Sequence, residues 1–270
     1  MANLSITTAW NETASFVQRE ARLLFPIAFL LIALPGGLLQ MLMPATVPGQ
    51  PPEFGAWLLI VPVGIIAGMI GSISISYLAL RPGASVGEAL EIGARRFIML
   101  LAASLLIGIA ATVLVVPLIL VIGGGAAMNG TQPDVALIGF IGLFTIVVLA
   151  AALSFWVRLM LMTAVTAAEN PGPIGIISRS WELTSGHFWK LLGFVLLAFV
   201  VFIVVSMVVG AIGGIAIVLI AGQLAPGSFA TFLVTLVGAL VNMVMTVYFT
   251  TLLARIYVQL SGSGREGVFA

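Results

Sequence analysis

The 270-residue chain has no cysteine and a single histidine. Disulfides, thiolate metal sites and cysteine nucleophiles are thereby excluded, and so is an imidazole-rich catalytic centre. Charge is scarce as well, with ten Lys and Arg against nine Asp and Glu, 7% of the residues in all and a formal charge of +1. Nucleic-acid binding needs a basic field that this balance cannot make. A soluble globule is excluded too, because 61% apolar residues leave too little polar surface to cover one. What the chain has in abundance is aliphatic side chains, and a mean hydropathy of +1.27 marks an integral membrane protein.

A bilayer core of roughly 30 Å needs about 20 apolar residues as a helix. Six runs meet that requirement: Leu23–Met43, Phe54–Leu80, Phe97–Ile122, Val135–Leu159, Leu191–Ala221 and Phe229–Leu260. The sequence predicts an all-α polytopic bundle of six transmembrane helices in one integral membrane domain, residues 1–270. The first run is not read as a cleaved signal peptide, whose apolar stretch is expected to be about 7 to 15 residues long.

The connections "PATVPGQPPE", "GGGAAMNGTQPD" and "GQLAPGS" carry no Lys or Arg. The basic residues fall before the first span (Arg19, Arg22), between the second and third (Arg81, Arg95, Arg96), around the fourth-to-fifth connection (Arg158, Arg179, Lys190) and at the C-terminal end (Arg255, Arg265). By the positive-inside rule these segments, and both termini, are expected on the cytoplasmic side.

Three polar segments show helical periodicity. In "ENPGPIGIISRSWELTSGHFWKLL" the residues Ile174, Ile177, Trp181, Phe188 and Leu192 share one face, with Arg179 and Lys190 opposite and Glu182 and His187 on the flanks. Val86, Leu90, Ala94, Phe97 and Leu101 repeat that face, as do Ile6, Trp10, Ala14, Val17, Ala21 and Leu24. Each segment precedes two spans. The pattern predicts three hairpin units, about 6–80, 86–168 and 177–260, each led by a cytoplasmic amphipathic helix lying in the headgroup plane.

Small-residue spacings in Gly64-x-x-x-Gly68, Ser104-x-x-x-Gly108-x-x-x-Thr112 and Ser206-x-x-x-Gly210-x-x-x-Gly214 predict helix-packing faces. Pro35, followed by two glycines, predicts a bend in the first span. Asn242 is expected to hydrogen-bond across helices.

The candidate site residues are Arg158, Glu169, Arg179, Glu182, His187 and Arg255, read as structural or anion-contacting. Arg158 and Arg255 stand near the inner ends of their spans, where an arginine can snorkel to the headgroups. Glu169 closes a helix just before the Asn170-Pro171 break, where Arg179 can fold back onto it; Arg179 can also pair with Glu182 at i, i+3. His187 is read as an interfacial side chain. Ser178 and Ser180 lack a nucleophile elbow, no phosphate-binding loop occurs, and the acids are too dispersed for metal-assisted hydrolysis. No catalytic, cofactor or metal site is assigned.

At Glu169, Pro171–Pro173, Arg179–Trp181 and Gly186–Lys190, and again at "LLARIYVQLSGSGREG" with Tyr257 and Arg265-Glu266, the chain resembles the membrane domain attached to some bacterial glycerophosphodiester phosphodiesterases and its stand-alone six-span relatives. The resemblance implies membrane residence and leaves function unassigned. In that family the phosphodiesterase activity resides in a separate soluble barrel, which this chain lacks. The expected function is a non-enzymatic scaffold or accessory role in membrane or lipid homeostasis, with membrane lipids as partners. The alternatives are a transporter or lipid carrier for an anionic amphiphile, and the membrane half of a separately encoded phosphodiesterase.

Overall fold

The computed structural model describes residues 5–42, 55, 57–128, 135–169, 171–221 and 228–262. The three outer connections, Asn170 and the Arg265-Glu266 pair lie wholly or mostly outside these residues. The helices are α1 (Ile6–Ala28), α2 (Leu34–Leu42), α3 (Trp57–Leu80), α4 (Val86–Met128), α5 (Val135–Leu159), α6 (Met162–Ala168), α7 (Pro173–Ser185), α8 (Phe188–Ala221) and α9 (Phe229–Ser261), with a π-helical turn, Phe29–Ala33, joining α1 to α2. No strand occurs among the described residues. Six helical stretches are long and apolar enough to cross a membrane, so the chain is a multi-pass helical membrane protein.

Helix starts follow local chemistry. Ser5 and Ser228 cap α1 and α9 by accepting from the N–H groups of Thr8 and Thr231, and Ser85 Oγ accepts from Glu88 N–H at the start of α4. Gly172 and Pro173 open α7. The bend expected at Pro35 is a π turn: the N–H of Leu34 reaches back to the carbonyl of Phe29, five residues away. Proline's ring would clash with the carbonyl four residues before it, and the extra residue in the preceding turn relieves that clash.

The first two leading segments are continuous with their spans. Residues 6–42 form one helical rod and α4 runs unbroken for 43 residues, about 64 Å at 1.5 Å per residue, twice the hydrocarbon thickness. A helix lying flat on a membrane must break before it enters, and only the third segment does, at the Gly186-His187 turn between α7 and α8. Gly186 ends α7 there, whereas no helix-breaking residue follows Arg22 or Arg96 immediately.

The tight core lies at the charged end of the bundle. Leu24, Ile73, Ile75, Leu161, Ile176, Leu191, Leu252 and Ile256 are fully enclosed there, and the last turns of α3 are buried on every side from Ile73 to Ala79. The opposite halves of the spans are splayed. Leu59, Met207 and Leu219 are 77%, 68% and 82% exposed, which suits contact with lipid tails.

The buried stripes of the leading segments include positions one residue before the predicted apolar lines, and in the first segment Val17 and Leu24 of the predicted line are buried too. Ala9, Ala89 and Ser180, each preceding Trp10, Leu90 or Trp181, are all 0% exposed. Four residues on, Thr13, Gly93 and Thr184 are buried too, while Trp10, Ala94, Ile174 and Trp181 face outward. Small side chains occupy the protein side because neighbouring backbones approach closely. A Cβ on Gly93 would meet Ser74 Oγ and stand 2.8 Å from the carbonyl oxygen of Ile70.

The small-residue stripes chosen from sequence behave differently. A Cβ placed on Gly68, Gly108, Gly210 or Gly214 would have nothing within 4 Å, and one on Gly64 would meet only Pro35 Cβ at 3.8 Å. A spacing makes a packing face only where a second helix comes close, and among these glycines only Gly64 has such a neighbour, at ordinary contact distance. Gly93→Ala is therefore expected to destabilise the protein by about 1–3 kcal/mol through overpacking, whereas Gly108→Ala should be neutral or slightly stabilising. Thermal unfolding of both variants in the same detergent checks this; equal effects would contradict it.

Candidate functional site

Proline at 171 cannot extend α6, so the chain leaves the helix at Glu169, whose backbone is extended (φ −104°, ψ 168°). The carbonyls left at such an end need donors. Arg96 supplies them from α4: its Nη1 donates to the backbone oxygens of Thr166, Ala167 and Glu169 at 2.9, 3.0 and 2.7 Å. A guanidinium at a helix C-terminus also complements the helix dipole.

The side chain of Glu169 points the other way. Its Oε1 accepts from Arg179 Nε at 3.1 Å and from Tyr257 Oη at 2.7 Å, and Arg179 Nη1 continues to Glu182 Oε2 at 3.2 Å. Four elements, α4, the α6–α7 corner, α7 and α9, are thus held in one clasp. Arg179 binds its proton more tightly than a free guanidinium, chiefly through the hydrogen bond to Glu169. The side chains of Arg179 and Glu169 are 39% and 34% exposed, so water screens the ion pair and it contributes about 0–1 kcal/mol. The Tyr257 hydroxyl is better shielded, since that residue is 5% exposed, and its bond to a charged carboxylate is worth about 1.5–3 kcal/mol.

A second corner uses the same three side-chain types. Tyr77 Oη donates to Glu88 Oε1, and Arg81 Nη1 donates to Tyr77 Oη at 3.3 Å while its Cζ lies 5.2 Å from the ring centroid. It ties the end of α3 to the start of α4.

Arg158 and Arg255 lie apart from both corners. The Cζ of Arg158 is 5.0 Å from the Trp181 ring and 5.2 Å from Phe188; that of Arg255 is 5.1 Å from Phe16. Beside Arg158 the fourth span is interrupted at Met160–Leu161. The Arg158 carbonyl there accepts from Ser180 Oγ at 2.9 Å and Thr184 Oγ1 at 3.3 Å, hydroxyls inserted where the helical ladder breaks. Ser180 is thus engaged in holding backbone, and Ser178 Oγ donates to Gly175 O. His187 forms the α7–α8 turn through its backbone, donating to Thr184 O and accepting from Leu191 N–H.

Asn242 makes its contact within its own helix, 3.5 Å from Thr246 Oγ1, and faces a cleft of about 450 Å³ among α2, α8 and α9. Gly36, Gly37, Ser206, Gly210 and Gly214 also line this cleft, and no clasp residue does. Among the described residues no three of His, Asp and Glu gather as metal ligands would.

Sequence reasoning located Glu169, Arg179 and Glu182, and marked Tyr257 only through resemblance. It missed Arg96, whose acceptors are 70 to 73 residues away in sequence. It also missed the Tyr77–Arg81–Glu88 corner, although Ser85 and Glu88 have capping-box spacing. Replacing Glu169 by Gln and Tyr257 by Phe, singly and together, should give a coupling energy of about 1 kcal/mol or more. Glu182→Gln should cost under about 0.5 kcal/mol. Unfolding of the variants in detergent measures both, and additive effects at Glu169 and Tyr257 would contradict the clasp.

No curated protein and no solved structure matches the chain. A family model described as "Domain of unknown function (DUF7847)" matches residues 4–260. That description carries no activity and makes no link to the phosphodiesterase membrane domain that the Glu169 motif resembles. The chain belongs to the DUF7847 family of domains of unknown function.

Proposed function

We propose that the protein is a non-enzymatic component of a bacterial inner membrane, a scaffold or accessory protein in membrane or lipid homeostasis, with its charged end and both termini in the cytoplasm. The observation that carries this reading is the clasp. Its carboxylate, phenol and two guanidiniums are all engaged with one another or with helix ends, which is what fixing geometry requires and what a substrate site would leave open. Orientation rests on the basic residues, all ten of which avoid the outer connections. The threefold unit is supported by the matching buried positions Ala9, Ala89 and Ser180.

One observation favours a second reading, a carrier for an anionic amphiphile: the cleft of about 450 Å³ beside Asn242 is large enough for an acyl chain. The two readings separate in liposomes. Because the chain has no cysteine, an Arg95→Cys protein labelled with an impermeant maleimide reports its orientation, and flux of a fluorescent phospholipid or a soluble organic anion can be assigned to a known direction. The scaffold reading expects no movement above protein-free vesicles. Movement abolished by Glu169→Gln or Arg179→Gln would overturn it.

A further inference from the structure

We propose that Arg158 and Arg255 form two binding sites for the phosphate of an anionic phospholipid headgroup. The inference takes from the reading above only that the charged end lies at a lipid boundary. Other arginines at this end have protein partners. Arg19 pairs with Glu20, Arg95 with Glu91, and Arg179 with Glu169 and Glu182; Arg96 caps α6 and Arg81 holds Tyr77. Arg22 has no bonded partner among the described residues but lies on the exposed surface, where water serves it.

Arg158 and Arg255 are part-buried and different. Arg158 Nη1 and Arg255 Nε are enclosed without a hydrogen-bond partner, and neither side chain forms an ion pair among the described residues. A guanidinium nitrogen in that position calls for an acceptor, and leaving it unsatisfied costs about 1–3 kcal/mol or more. No carboxylate or carbonyl of the described protein supplies one. What the protein does supply is an aromatic face: Trp181 and Phe188 under Arg158, Phe16 under Arg255. Stacking fixes the plane of each guanidinium; the enclosed nitrogen faces inward, and it is the part-exposed remainder of the group that can meet a fork-shaped acceptor such as a phosphate.

One feature selects a lipid over a free phosphate, and a second selects the charge of its headgroup. Around Arg158, Phe155, Trp181 and Trp189 are 56%, 40% and 80% exposed. They form an apolar surface contiguous with the lipid-facing flanks of α5 and α8, along which an acyl chain can lie below its headgroup. Around Arg255, the same Phe16 ring carries a second cation, Arg19, at 6.0 Å. Arg19 is paired with Glu20, so Arg255 is the cation on that ring without a carboxylate in hydrogen-bond range among the described residues, and an unmatched cation favours an anionic headgroup over a zwitterionic one.

The test is lipid retention by purified protein in neutral detergent, read by native mass spectrometry and by thermal shift. The probes are phosphatidylglycerol, phosphatidylcholine and inorganic phosphate. Phosphatidylglycerol is expected to bind in preference to phosphatidylcholine, and Arg158→Gln and Arg255→Gln should each weaken it about tenfold at one site, the loss of a charge-assisted hydrogen bond. Arg95→Gln should leave binding unchanged. Should a Gln variant not fold, the Lys variant at that position keeps charge and packing and is expected to bind more weakly than Arg. Wild-type affinity in the double variant, equal retention of the two lipids, or a thermal shift reproduced by inorganic phosphate alone would overturn the proposal. Transport, which decides the scaffold reading, does not enter these readouts, so either can fail without the other.

Discussion

Inside a bilayer, a leucine gains little by leaving a lipid tail for another leucine, so apolar spans have no hydrophobic reason to stay together. Everything in this fold depends on how that lack is made good. The solution is to gather specific contacts at one end. Arg96 closes the end of α6, Glu169 joins α7 to α9 through Arg179 and Tyr257, and Tyr77, Arg81 and Glu88 close the corner between α3 and α4. Small buried positions such as Gly93 and Gly71 let the backbones come near enough for those contacts to form. Beyond that zone the spans diverge and present aliphatic surface, as the exposures of Leu59 and Leu219 show.

The structure explains why the two classes of arginine differ. Arg96 and Arg179 meet carbonyls and carboxylates, so their charge is matched within the protein. Arg158 and Arg255 meet aromatic rings, which orient a guanidinium without satisfying its donors. The clasp fixes shape, and the stacked arginines are the groups proposed to meet anionic lipid. The proposed accessory role is consistent with both observations.

Much of this was legible in the sequence, for physical reasons. Apolar runs near 20 residues report spans because backbone polarity in lipid forces helices, and each of the six predicted runs overlaps one of the observed stretches, with the ends of the first and third differing by more than ten residues. Glu169 and Arg179 could be paired because the Pro171 break folds their helices back locally. Arg96 could not be found, since nothing near it in sequence marks a partner on another span. Periodicity drew apolar lines meant for the membrane surface and left unread the protein-facing stripe beside them, although Val17 and Leu24 of the first line are buried as well. It ranks hydrophobicity, whereas Ala9, Gly93 and Ser180 are buried for being small. The same limit misled the Gly210 and Gly214 spacing, which lines an open cleft.

The central claim is that the Glu169 carboxylate holds the charged end together. Hydrogen–deuterium exchange on the protein in lipid nanodiscs, with Glu169 intact or changed to Gln, tests it directly. The account predicts faster exchange confined to α7 and the last turns of α9, with the splayed halves of α5 and α8 unaltered. Unchanged exchange in α7, or a uniform rise across all the helices, would contradict it.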